Sequence, residues 1–279
     1  MTPHTTTTPV PHHVPHAVTN AVANAVTIPA STAATLFDVI GLTAVQCDTV
    51  LQLISLAENG DVKWWTNYDY IEALHDGRGY TCTLFGACSG TGDLYAIFVE
   101  MKKLDPAHPL LKYMPALKKC HGENVAGIEG LLRDIPALGA DLVWRQAVWT
   151  IYIQMYWKFA ARFASKSGEC SSRPGPVLKT AIGKGFMVDA AINHGGDLGS
   201  IDPILKRMSR PTEPDEKKWL DDFMNTRRVM LRSGFQDLDT SRTGDRCVLW
   251  KSILDAGNAA LTRPVTYGKG YWNGGGVIR

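Results

Sequence analysis

Basic side chains are missing from the first sixty-two positions of the 279-residue chain; the first is Lys63, and no acid precedes Asp38. A secretory signal joins a basic segment to an apolar one. Residues 1–36 offer neither, only Thr, Pro, Ala and a few histidines (His4, His12, His13, His16), with a mildly apolar run from Ala21 to Ile28 broken by Asn24. The stretch reads as a disordered leader ahead of an ordered chain over 37–279. No run of about 18 apolar residues exists, which argues against a membrane span. Six cysteines are present, yet none form a CxxC pair and no His/Cys spacing suits zinc, so no metal is expected. Their even count leaves disulfides and redox compartment open. There are no repeats. Charged residues are 20% of the chain and the net charge is only +2, which gives no reason to expect nucleic acid. The 45% that are hydrophobic can fill the core of one large domain or two lobes.

What is present is mostly helical periodicity. Cys47, Leu51, Ile54 and Glu58 recur at helical steps, and Asn59-Gly60 ends the run, so a helix carries Glu58 on its last turn. Residues 66–88 differ. Alternating Tyr68 and Tyr70, the Asp76-Gly77 turn and the run Tyr80–Phe85 predict a small antiparallel sheet. Ser89 or Thr91 can cap a following helix through Leu94, Ile97, Phe98 and Met101. Trp144, Val148, Ile151, Met155 and Phe159 mark a buried central helix, and further helices are expected over 178–193, 214–232 and 245–260, with a surface loop over 169–176. The fold class is α+β, mostly α.

Between Glu58 and Glu100 lie seven acids and two bases, a local charge of −5 in a chain of +2. Lining a cleft, such a segment would attract a cation. Two of its acids sit on different elements, Glu58 at a helix end and Asp76 in a Gly-rich turn. Glycosidases need such a pair: one carboxyl stays protonated to serve the leaving oxygen, the other stays ionised to activate water. Apolar surroundings and the negative helix end suit Glu58 to the acid role, and the polar turn beside Arg78 suits Asp76 to the base role.

These residues also resemble a family. Ala57–Asn59 (AEN), Tyr70–Thr81 (YIEALHDGRGYT) and Cys88–Asp93 (CSGTGD) are similar to the family 46 chitosanases. So are Lys112–Lys119, Trp144–Trp149, Val188–Gly196, Asp239–Arg242 and Thr266–Gly268, in the same order along the chain. The resemblance implies a lysozyme-like fold of two lobes with a cleft between, and inverting endo-hydrolysis of β-1,4 bonds in chitosan without a cofactor. It implies Glu58 as general acid, Asp76 as general base and Thr81 as the residue that helps hold the attacking water. Asp93 would bind a substrate amino group, while Asn59, Tyr70, Arg78, His194 and Gly195 would line sugar subsites. Asp189, Arg227 and Arg242 would form a buried network behind Glu58, with Arg228 as a competitor for Arg227. A monomer acting outside the cell on chitosan is expected, although no signal peptide is visible.

Bland readings stand beside these. Asp93 has a structural reason to open a helix, His194 before Gly-Gly can be a helix end, and Trp64, Trp65 and Trp149 suit a core better than a sugar platform. The chief rival activity is a lysozyme or chitinase acting on N-acetylated glycans. A non-catalytic sugar-binding module and a binder of basic proteins are further rivals, and the retained carboxylate pair with Thr81 speaks against both.

Overall fold

The computed structural model describes residues 38–170, 173, 175–233, 245–268 and 275–279. The leader expected over 1–36 and the network candidate Arg242 lie outside the described residues.

Helix α1 (Ala44–Asn59) starts in a capping box. The Thr43 hydroxyl accepts the Gln46 N–H, and the Gln46 side chain accepts the Thr43 N–H at 2.9 Å. It ends where Gly60 takes a left-handed φ of 73° and donates its N–H to the Leu56 carbonyl. Cys47 through Leu56 are all buried, so α1 runs through the core and not along one face of it. Its polar members are matched inside: Asp48 accepts from Trp64 Nε1 at 3.0 Å and from Gln52 Nε2 at 2.8 Å, and it pairs with Arg263.

The sheet is shorter than the aromatic pattern predicts. Trp64–Asp69 forms a 3₁₀ turn that takes Tyr68 out of the sheet. Strands β1 (Ile71–Ala73), β2 (Tyr80–Cys82) and β3 (Ala87–Cys88) then pair antiparallel in sequence order. Glu72 faces Thr81, and Thr81 faces Cys88. Helix α2 (Asp93–Leu104) is capped by Gly92 at φ 95°, without a side-chain cap from Ser89 or Thr91. Ser89 instead accepts the Tyr80 N–H at 2.9 Å and ties down β2.

The long apolar stretch is one continuous run: α3 (Leu142–Tyr152), a π turn over Ile153–Trp157, and α4 (Lys158–Cys170). It packs against α2 at one end and against α5 (Ala181–His194) at the other, linking the sheet-bearing lobe to a helical one. The helical lobe continues with α6 (Leu198–Arg207), α7 (Glu216–Arg232) and α8 (Asp245–Asp255), and β4 (Val265–Tyr267) pairs with β5 (Gly276–Ile278). Helix α6 was not expected: Pro203 inside it masks an Asp197-capped apolar stripe. Helix α4 also reaches further than the surface loop expected from residue 169 onward. Trp64 and Trp149 are fully buried and meet edge to face at 5.8 Å, which places them in the core and not on a sugar platform.

Four helices converge on one buried ion network. Asp189 of α5 is wholly buried between two guanidiniums. Arg227 of α7 gives it Nη1 at 2.6 Å, and Arg246 of α8 gives it Nη2 at 2.8 Å. Arg246 Nη2 also reaches Glu58 Oε1 of α1 at 2.5 Å. Arg227 points inward and its neighbour Arg228 does not make these bonds. Burial by itself would raise the Asp189 pKa, but the two guanidiniums outweigh it and hold the carboxyl below its ordinary value. A depressed folded-state value stabilises the protein above the unfolded pKa of about 3.9, and that share is lost as pH falls toward the folded one. Asp189→Asn takes the carboxylate from buried Arg227 and leaves buried Arg246 with Glu58 alone, so we expect it to cost about 3–5 kcal/mol near neutrality. Denaturant titrations of both proteins should show the difference level above pH about 4 and shrinking below it. A variant as stable as the parent at pH 7 would contradict this.

Candidate active site

The outer end of the ion network opens into a cavity of about 340 Å³ between the lobes. Glu58 borders it with 27% of its side chain exposed, brought there by the last turn of α1. The expected apolar setting for Glu58 is not found, because its carboxylate faces the Arg246 guanidinium. The burial of Arg246 would lower its pKa, but Asp189 and Glu58 together raise it, so the cation is permanent.

Across the cavity stands the sheet. Thr81 and Thr83 reach the lining from β2 and the turn after it. Thr81 Oγ1 lies 3.5 Å from Cys88 Sγ, and the Thr83 hydroxyl bonds to that of Tyr152, which also accepts the Phe85 N–H at 3.2 Å. The aromatic core thus backs this wall directly. Asn59 donates Nδ2 to the Leu84 carbonyl at 3.3 Å and joins the two walls. Tyr70 borders the cavity and donates its hydroxyl to Glu72 at 2.7 Å; burial, then that bond, pushes its pKa up to about 12.

Asp76 lies in the connection between β1 and β2. It does not border the cavity itself and is joined to the lining through Arg78. Arg78 donates its backbone N–H to Asp76 Oδ1 at 3.2 Å and its Nε and Nη2 to Oδ2 at 2.9 and 2.5 Å. The hydrogen bond to the Arg78 side chain holds the Asp76 carboxyl below its usual range. Asp93 opens α2 at the same cavity. It accepts the Thr91 hydroxyl at 2.8 Å and has no ion-pair partner among the described residues.

The structure therefore brings together Glu58, Asn59, Tyr70, Arg78, Thr81 and Asp93 at one cavity, with Asp76 beside it. His194 and Gly195 are not among the lining residues. His194 is buried and accepts Arg227 Nε at 2.9 Å through its own Nε2, so it belongs to the ion network. Arg246 was missed by the sequence reading, which favoured Arg242. A signal for it exists: Arg246 shares a helical face with the buried Trp250 and Ile253, where a cation needs a buried partner. Tyr156 and Asn193 also border the cavity. Among the described residues no group of three or more metal-ligating side chains comes together, no helix is long and apolar enough to cross a membrane, and Cys47, Cys82, Cys88, Cys120 and Cys247 are free thiols.

Known proteins are similar to this chain in sequence and fold. A chitosanase from Nocardioides sp. (strain N106) is 32% identical over 256 residues, 87% of each chain. One from Streptomyces sp. (strain N174) is 32% identical over 238 residues, 80% of each. The native chitosanase of Bacillus subtilis MY002 superposes with a TM-score of 0.72 at 26% identity, covering 85% of this chain and 100% of that one. A mutant of that protein complexed with six GlcN matches with the same TM-score and identity. The mostly helical, lysozyme-like fold with its small antiparallel sheet is shared with these structures. Because the model of glycosyl hydrolase family 46 matches residues 52–265, from α1 through the sheet and the ion network to β4, the chain belongs to that family.

Proposed function

We propose that this protein is an endo-acting chitosanase that hydrolyses β-1,4-glucosaminidic bonds with inversion, as a monomer outside the cell. The observation that carries the reading is a pair of carboxylates on independent elements, Glu58 in the cavity lining and Asp76 joined to that lining through Arg78, each held by an arginine of its own. Glu58 is the general acid. Its Oε1 is taken by Arg246, so the proton for the leaving oxygen rides on Oε2. Asp76 is the general base: Arg78 keeps it ionised, ready to take a proton from water, and Thr81 helps to hold that water. Asn59, Tyr70 and Arg78 contact the sugar chain. Asp93 receives a protonated amine, since it is the lining acid without a cationic partner. A lysozyme-like action on acetylated glycans leaves that unmatched charge without a purpose and is not favoured.

The direct test is hydrolysis of deacetylated chitosan followed by NMR, with the α-anomer expected as first product. Early β-anomer would refute inversion. Glu58→Gln is nearly isosteric, and we expect kcat to fall at least ~10²-fold with folding retained. More than a tenth of parental activity would remove Glu58 from the acid role.

The pH dependence follows from Asp76. A depressed carboxyl pKa keeps the base ionised into acidic solution, so the acid limb of kcat/KM lies at low pH. Arg78→Ala removes the first cause of that depression. The acid limb should then move to higher pH; an unmoved limb would mean that another group sets it.

Asp93→Asn removes the charge but keeps the shape. A hydrogen bond between charged partners contributes about 1.5–3 kcal/mol, or about ten- to a hundred-fold in affinity. We expect KM on deacetylated oligomers to rise accordingly, with little change on acetylated ones. Equal losses on both would assign Asp93 to helix capping instead.

A further inference from the structure

The turn that carries Asp76 is stiff within itself and weakly rooted. Residues 76–78 form a closed unit, because Arg78 returns both its backbone N–H and its guanidinium to the Asp76 carboxylate. The unit therefore sets how Asp76 points relative to its own turn. It does not set where the turn sits relative to Glu58. Residues 74–78 are exposed, and His75, Gly77 and Gly79 all have positive φ, so no regular ladder holds the connection.

Two hydrogen bonds tie this unit to more distant chain. The Gly90 N–H donates to the Arg78 carbonyl at 2.9 Å. The Gly77 N–H, immediately after the catalytic aspartate, donates to Glu123 Oε1 at 2.5 Å. Glu123 comes from the loop after Cys120, and that loop is pressed onto the turn by its backbone. Gly122 donates to the Gly90 carbonyl at 3.2 Å. A Cβ on Gly90 would come within 2.1 Å of the Gly122 carbonyl oxygen and 2.8 Å of that of Arg78. Three backbone segments thus touch without room for a side chain, and Glu123 is the one side chain that reaches across to the middle of the aspartate unit.

We propose that Glu123 is a positioning residue for the general base, its carboxylate fixing the Gly77 amide and thereby the distance of Asp76 from the sugar. The inference rests on the reading of Asp76 as base. Glu123 is itself exposed, so its loss need not unfold the protein, while misplacement of a catalytic group by about 1 Å can cost up to ~10²-fold in rate. The role requires an acceptor atom, not a charge, so glutamine should serve where alanine does not.

The test compares Glu123→Ala, Glu123→Gln and Asp76→Asn on deacetylated oligomers, with thermal unfolding of each. We expect Glu123→Ala to lower kcat about ten-fold, with KM and the unfolding temperature nearly unchanged. Glu123→Gln should stay within about three-fold of the parent, as an acceptor role implies. Amide exchange at Gly77 should quicken in the alanine variant alone. A parental kcat in Glu123→Ala overturns the proposal, and so does equal loss in both variants, which would point to a charge meeting the substrate amine. A loss confined to unfolding temperature overturns it as well. An active Asp76→Asn would instead strike the base assignment, and an inactive one beside a fully active Glu123→Ala strikes only the positioning role.

Discussion

The architecture hangs on a row of four charges that alternate in sign: Glu58, Arg246, Asp189 and Arg227. Each arginine in the row meets a carboxylate and Asp189 meets both arginines, which is what makes their burial tolerable. The inner end is closed by matched donors and acceptors. Arg227 gives Nε to His194 and Nη2 to Asn193, each at 2.9 Å, and its guanidinium lies 5.1 Å from the centre of the Phe186 ring. Ion pairs of this kind add little net stability over apolar packing. Their worth here is directional: Arg246 is locked by Asp189 through both Nε and Nη2, and the same Nη2 then holds Glu58 Oε1 in place. Four helices must all be in place before that carboxylate has a defined position.

The two sides of the cleft are accordingly built on different principles. The Glu58 side is rigid because it ends a buried, bonded network. The Asp76 side is a short sheet whose back rests on aromatic rings: Phe85 lies 5.2 Å from Tyr152 and 6.2 Å from Trp149. The turn bearing Asp76 projects from that sheet into solvent. The proposed inversion has to admit a water between the two carboxyls, and one rigid and one adjustable wall suit that proposal.

Much of this was legible in the residues. The α1 period and Asn59-Gly60 placed Glu58 at a helix end, and the Asp-Gly turn among aromatic and β-branched residues announced the sheet. Local patterns carry such information because they depend on neighbours in sequence. The long-range pairings were less accessible. Arg242 and Arg246 are four residues apart, and which of them meets Glu58 depends on how α8 packs against α1 and α5. The Tyr68 period misled for the same reason. Trp144 Nε1 binds the Tyr68 carbonyl at 2.8 Å and Trp149 Nε1 its hydroxyl at 2.5 Å, so packing from the far helix turns the segment into a 3₁₀ turn. For His194 the resemblance implied a sugar subsite beside the helix-end reading, and nothing in the sequence shows that Arg227 donates to its Nε2.

The charge argument also changes shape once the side chains are placed. The excess of −5 between Glu58 and Glu100 suggested a cleft lined with acid. The lining itself holds two acids, Glu58 and Asp93, and two arginines, Arg78 and Arg246. Both arginines are committed, one to Asp76 and one to Glu58 and Asp189, so neither offers a free positive charge to the cavity. The other acids of the segment are not among the lining residues; Glu72 holds Tyr70 and Glu100 is paired to Lys103. Under the proposed function, the field of these acids draws a polycation toward the mouth but is screened beyond about 10 Å in ordinary salt. Inside, that proposal leaves discrimination to Asp93 at the N-terminus of α2, which has no ion-pair partner among the described residues. On that proposal, attraction and recognition are separate tasks of the same acidic segment, the first set by how many acids it contains and the second by where one of them has no ion-pair partner among the described residues.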